Sequence, residues 1–163
     1  MNADKATLSP HVREEIDAAL KKYPEDRKRS AIFAALHAVQ HEQGHLSPPY
    51  MDAVAEYLGL EPIKVYEVAT FYSMYETKPI GRNSVSICRN ISCMLRGADE
   101  IVAHVEKKLG IKLGETTPDG RIFLKREEEC LAACAGGPMM MVNHKYCEKL
   151  TIEKVDEILD GLE

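Results

Sequence analysis

Cys88-Arg-Asn-Ile-Ser-Cys93 and Cys130-Leu-Ala-Ala-Cys134 are the stretches on which the reading of this chain turns. The two pairs have 36 residues between them and hold four of the five cysteines in 163 residues. Four thiolates are the ligand set of a [2Fe-2S] cluster or of a structural zinc. Zinc knuckles usually place two residues between ligands, whereas the four and three residues enclosed here leave room for a binuclear centre. A thioredoxin-type dithiol needs Cys-x-x-Cys, which does not occur. Spacing therefore favours the iron-sulfur reading, with a zinc-stapled interaction module and unrelated buried or redox thiols as the alternatives.

Outward from the pairs, the flanking segments read as a small α/β sandwich. Ser84 to Ile87 alternates polar and apolar residues, a strand ending at Cys88. Gly97 to Leu109 has helical spacing through Ile101, Val102 and Val105 and closes on Gly110. Thr117-Pro-Asp-Gly120 is a turn, and Arg121 to Lys125 is a second strand. Met139 to Val142 forms a third strand after Pro138, and a fourth is expected around His144 to Cys147. Thr151 caps a last helix carrying Ile152, Val155, Leu159 and Leu162 on one face. Both cysteine pairs are expected where a strand or coil gives way to a loop, among small neighbours such as Ser92, Ala132, Ala133, Gly136 and Gly137.

The first half follows a different period. Ser9-Pro10 starts a helix with Val12, Ile16, Ala19 and Leu20 on one face. A second, from about Lys28, carries Ile32, Phe33, Leu36, Val39 and Gln40 and stops at Gly44. Ser47-Pro48 begins a third that ends at Gly59, and Pro62 a fourth running to about Tyr72. The expected architecture is α+β: a helical bundle at 1–79, then an α/β domain of thioredoxin-like proportions at 80–163 that carries both cysteine pairs.

Composition bounds the function. A chain with 45% hydrophobic and 29% charged residues and net charge −5 belongs to the soluble globular class and lacks the basic surface that nucleic acid or an anionic membrane would want. No apolar run approaches the roughly 18–20 residues that span a bilayer, and the first 30 residues are too charged for a signal peptide. In the reducing, cytosolic type of compartment expected, clustered cysteines point to metal ligation or redox work rather than disulfides. There is no G-x-G-x-x-G and no other glycine-rich phosphate cradle, so dinucleotide chemistry is not expected within the chain.

Taken together, Cys88-Arg-Asn-Ile-Ser-Cys93-Met-Leu-Arg-Gly97, Gly114-Glu-Thr-Thr-Pro-Asp-Gly120 and Glu129-Cys-Leu-Ala-Ala-Cys134-Ala-Gly-Gly-Pro-Met-Met140 resemble the small thioredoxin-like [2Fe-2S] subunit of NADH:quinone oxidoreductase, respiratory complex I. Tyr23-Pro24, Arg29-Ser-Ala31, Leu36-His-Ala-Val-Gln40, Gly44-His-Leu46 and Glu67-Val-Ala-Thr-Phe-Tyr-Ser-Met74 extend the likeness over nearly the whole chain. The resemblance implies one [2Fe-2S] cluster on Cys88, Cys93, Cys130 and Cys134 and one-electron transfer. It implies docking on a larger flavoprotein subunit that carries FMN and binds NADH, and enzyme activity only as part of that assembly. It also implies a place on the cytoplasmic face of the inner membrane, held through other subunits without insertion. Relatives serve NAD-linked hydrogenases and formate dehydrogenases, and a free-standing [2Fe-2S] ferredoxin is a further alternative. Two departures stand out: Leu131-Ala132-Ala133 lies where the family often has a glycine, and Cys147 falls outside the ligand pattern and reads as a free, partly buried thiol.

Charge near a cluster bears on its potential, because reduction adds an electron to an already negative centre. Glu127, Glu128 and Glu129 read as a solvated run, while Arg89 and Arg96 either offset the negative field, meet an acidic patch on the partner, or are plain surface residues. His41-Glu-Gln-Gly-His45 matches the zinc-protease pattern, but Gly44 is expected to end the helix between the histidines. His37 and His41 therefore read as surface residues. Met139, Met140 and Met141 are expected to pack beside the cluster loop, since thioether suits an iron-sulfur centre poorly. Phe71, Tyr72, Met74 and Tyr75 are either core or a docking face.

Overall fold

A computed structural model describes residues 6–126 and 130–163. The chain divides into two compact units, Met1–Pro79 and Ile80–Glu163.

The first unit is helical. In α1 (Pro10–Leu20) the Ser9 hydroxyl accepts from the Val12 N–H at 3.2 Å, and Val12, Ile16 and Ala19 are buried. The helix α2 (Ile32–Gln43) begins later than the expected Lys28. Residues Glu25–Ala31 instead wind as a 3₁₀ segment interrupted at Arg27 (φ −116°, ψ 28°). Residues 25–30 are all polar, so no apolar stripe holds that stretch in α form. The helices α3 (Pro48–Leu58) and α4 (Pro62–Phe71) start on proline, and Gly44 (φ 76°) and Gly59 (φ 66°) supply left-handed terminations for α2 and α3. Ile16, Leu36, Leu46, Leu58 and Val65 form the middle of one apolar core. The Gln40 side chain fastens the segment after α4 onto α2, donating to Met74 O at 2.9 Å and accepting from the Glu76 N–H at 2.7 Å. The apolar run that begins at the last residue of α4 is divided: Tyr75 is buried with its hydroxyl on Phe33 O, whereas Phe71, at 78% exposure, and half-exposed Met74 face outward.

The second unit is built on a mixed sheet of five strands. In chain order they are β1 (Asn83–Ile87), β2 (Glu115–Thr116), β3 (Ile122–Lys125), β4 (Met140–Val142) and β5 (Lys145–Cys147), and in space they run β2-β3-β1-β4-β5. The central β1 pairs parallel with β3 (Val85 opposite Leu124) and antiparallel with β4 (Val85 opposite Val142). The one-turn helix α5 (Ile91–Met94) was not expected from the sequence. It is followed by α6 (Ala98–Leu109) and, near the end of the chain, by α7 (Ile152–Asp160), whose cap Thr151 accepts from the Lys154 N–H. Ile101, Val102 and Val105 of α6 and Val155 and Leu159 of α7 share a core with Val85, Ile87, Ile122, Leu124 and Met140 of the sheet. Among the described residues no helix is long and apolar enough to cross a membrane.

Candidate metal centre

The end of β1 delivers Cys88 straight into the site, where its N–H donates to Met139 O at 3.1 Å. Cys93 lies inside α5 rather than in the loop expected, because Asn90 starts a helical turn by accepting the Ile91 N–H on its side chain. Both thiols are buried, and with Ala98 and Met139 they form a small apolar cluster of their own, with Leu131 and Ala133 packed against it. Cys130 and Cys134 are exposed; Cys134 opens a 3₁₀ turn, Cys134–Gly136. Their sulfurs are 3.3 Å apart, and the Ala132 N–H points at Cys130 Sγ from 3.4 Å.

Thiols of the two pairs influence one another. Burial, and then interaction with Cys88, pushes the Cys93 thiol up. Cys130 is held below the ordinary thiol range by the Ala132 N–H first and the Cys134 thiol second, and it also interacts with Cys88. The same contact with Cys130 pushes Cys134 up. Cys88 thus acts on both pairs, on Cys93 in one and on Cys130 and Cys134 in the other. Among the described residues no group of three or more His, Cys, Asp or Glu side chains is arranged to hold a single metal ion.

The donor set fits a [2Fe-2S] group. Four thiols, two on a buried floor and two at the rim, supply the soft ligands such a group needs. Gly137 leaves room for one of these ligands: a Cβ there would stand 3.1 Å from Cys93 Sγ. The Gly137-Pro138 peptide is cis, an isomer that sequence does not reveal.

Three features of the site escaped sequence reasoning. The first is α5, for which Asn90 was the available capping signal. The second is Ala132, a non-glycine residue at φ 63°. The third is the grip of Arg96, read from the sequence only as a nearby charge: its Nη1 donates to the carbonyls of Cys134, Ala135 and Gly137 at 3.0, 3.1 and 3.4 Å, with Ser92 Oγ also donating to Cys134 O at 3.0 Å. Arg89 is engaged elsewhere, paired with Asp99 at 3.1 Å. The acidic run Glu127, Glu128 and Glu129 lies outside the described residues.

The remaining candidates separate from the site. Met139 and Met140 are buried and Met141 is half-buried, as packing residues would be. Cys147 is a free thiol of intermediate burial on β5. His37 and His41 are exposed on α2, and Gly44 ends that helix before His45, so the protease-like pair is not carried on one helical face. Glu42 of the same motif accepts from Ser9 and Gln43.

A family model described as thioredoxin-like [2Fe-2S] ferredoxin matches residues 16–163. A subunit of the NADH-quinone oxidoreductase of Rhizobium meliloti is 46% identical over 150 residues, covering 92% of this chain and 88% of the relative. The corresponding NADH-quinone oxidoreductase subunit of Rickettsia conorii is 43% identical over 145 residues, covering 88% of this chain and 86% of the relative. The mitochondrial NADH dehydrogenase [ubiquinone] flavoprotein 2 of Dictyostelium discoideum is 40% identical over 148 residues, 90% of this chain and 60% of that one. Among solved structures, a chain of an NAD⁺-reducing [NiFe]-hydrogenase in the air-oxidized state superposes with a TM-score of 0.70 at 19% identity, over 85% of this chain and 24% of the hydrogenase chain. That likeness speaks for the fold alone. With the family model spanning both units and the relatives matching nearly end to end, this chain belongs to the thioredoxin-like [2Fe-2S] ferredoxin family.

Proposed function

We infer that the chain is the electron-transfer subunit of an NADH:quinone oxidoreductase, exchanging single electrons with the FMN of a partner NADH-binding flavoprotein subunit. The observation that carries this reading is the quartet of Cys88, Cys93, Cys130 and Cys134, one pair buried and the other exposed, whose thiols influence one another across the pairs. A [2Fe-2S] cluster held there supplies a one-electron carrier. Cys88 and Cys93 anchor it from the end of β1 and from α5, where the apolar floor excludes water. Cys130 and Cys134 close it from the rim and keep one side of the site open to a partner's redox group. Ligation requires thiolates, so loading releases protons, and the Ala132 N–H already favours that form at Cys130. Hydride chemistry falls to the flavoprotein, because this chain has no glycine-rich phosphate cradle, and no complete active site is assigned to it. Attachment to the cytoplasmic face of a membrane is through other subunits of the assembly.

Anaerobically purified protein tests the reading. Iron and acid-labile sulfide in a two-to-two ratio are expected, with charge-transfer bands in the visible and a rhombic EPR signal only after dithionite. NADH alone leaves the signal absent, and adding the flavoprotein partner allows NADH to elicit it. A colourless protein containing zinc and no sulfide overturns the inference.

A further inference from the structure

We propose that Arg96 is the positioning residue of the cluster site: it ties the two cysteine pairs into one unit and holds a cation on the backbone carbonyl of the rim ligand Cys134. Arg96 sits three residues after Cys93, just beyond α5, and its side chain is exposed. Burial does not hold it in place; hydrogen bonds do. One nitrogen, Nη1, gathers three carbonyls, and the first belongs to the rim ligand Cys134 itself. Ser92, immediately before Cys93, donates to the same Cys134 carbonyl. The second pair's loop is therefore gripped twice, each time from a residue beside the first pair. The stem of the same side chain also lies against Gly137, where a Cβ would meet Cys93 Sγ at 3.1 Å and Arg96 Cδ at 3.6 Å. Arg96 and Cys93 thus lie against the same glycine.

Two consequences follow from this geometry. Hydrogen bonds from outside the ligand set orient ligands, and their loss typically costs about 10- to 100-fold in metal retention. A fixed positive charge beside an anionic centre favours the state with one more electron. A residue that only braced the fold would deliver neither a shift in potential nor a rescue by charge. The proposal rests on the four cysteines being cluster ligands, and wild-type protein lacking iron and sulfide would sink that reading before any variant is compared.

The test uses full-length, cluster-loaded Arg96→Ala and Arg96→Lys beside wild type. Chelator-driven iron loss is followed by visible absorption, and the midpoint potential by EPR-monitored titration. Arg96→Ala is expected to release iron about 10- to 100-fold faster, with the potential of the remaining cluster moved to more negative values. Arg96→Lys keeps the charge but carries it on a flexible stem without the planar group that holds Nη1 on the three carbonyls, so it restores the potential while releasing iron faster than wild type. Iron loss and potential both unchanged in Arg96→Ala overturn the proposal. A collapsed melting transition of metal-free Arg96→Ala also overturns it, by making Arg96 a residue of the general fold.

Discussion

Ala132 carries a conformation that a glycine would carry more cheaply. Its φ of 63° places an L-residue with a Cβ in the left-handed region, between Cys130 and Cys134, and turns its N–H onto Cys130 Sγ. Left-handed backbone costs an ordinary residue about 1–2 kcal/mol, and glycine in an ordered position gives back about 0.5–1 kcal/mol in chain entropy. The strain is the larger of the two. Ala132→Gly is therefore expected to stabilise the protein by up to about 1 kcal/mol, read as a melting temperature higher by about 2–4 °C for each kcal/mol. The Ala132 N–H keeps its direction, so the EPR line shape stays as in wild type. A lower melting temperature would show that the alanine methyl makes a contact worth more than the strain.

Among the elements, the loop leading into β3 depends on an ionised side chain. Asp119 Oδ1 accepts from the Thr117 hydroxyl and, at 3.0 Å, from the Arg121 N–H, and the Thr117 hydroxyl in turn accepts from the Ile122 N–H at 3.0 Å. The hydroxyl first and the Arg121 N–H second hold the Asp119 carboxyl below its ordinary range. With the folded-state value below the unfolded one, this stabilisation is fully present above the ordinary aspartate value of about 3.9 and is lost as pH falls through the lower folded-state value. Asp119→Asn should accordingly melt below wild type at neutral pH, and the gap should close in acid. A gap that persists with Asp119 protonated would assign the effect to shape rather than charge.

What the sequence made legible at this scale follows a physical divide. The helices α1, α3 and α4 announced themselves through Ser9-Pro10, Ser47-Pro48 and Pro62, because caps and prolines act on their own neighbours. One-turn α5 and two-residue β2 have no period to detect, and the polar 3₁₀ stretch before α2 imitates a helix start. The cysteine quartet was visible as two local spacings. The clamp was not, because Arg96 and Cys134 are 38 positions apart and nothing in either neighbourhood names the other.

At the scale of the whole molecule, each unit contains an apolar core of its own. Buried residues from Leu8 to Tyr75 make up one, and buried residues from Val85 to Leu159 make up the other, with the cysteine floor in the second unit. Leu36 lies at the middle of the first, fully buried on α2. Truncating such a side chain costs about 2–5 kcal/mol through lost transfer energy and the cavity left behind. That is a large share of the roughly 5–15 kcal/mol that holds a typical domain folded. The buried residues around the cysteine floor, Cys88, Cys93, Ala98 and Met139, all belong to the second unit. Leu36→Ala should therefore lower the melting temperature of the helical unit while iron content, visible spectrum and chelator resistance remain those of wild type at temperatures where that unit is folded. Differential scanning calorimetry beside an iron assay checks both halves. Loss of iron in step with loss of the helical unit would mean that the cluster depends on residues beyond the second unit's core, and the division of labour between the two cores would have to be abandoned.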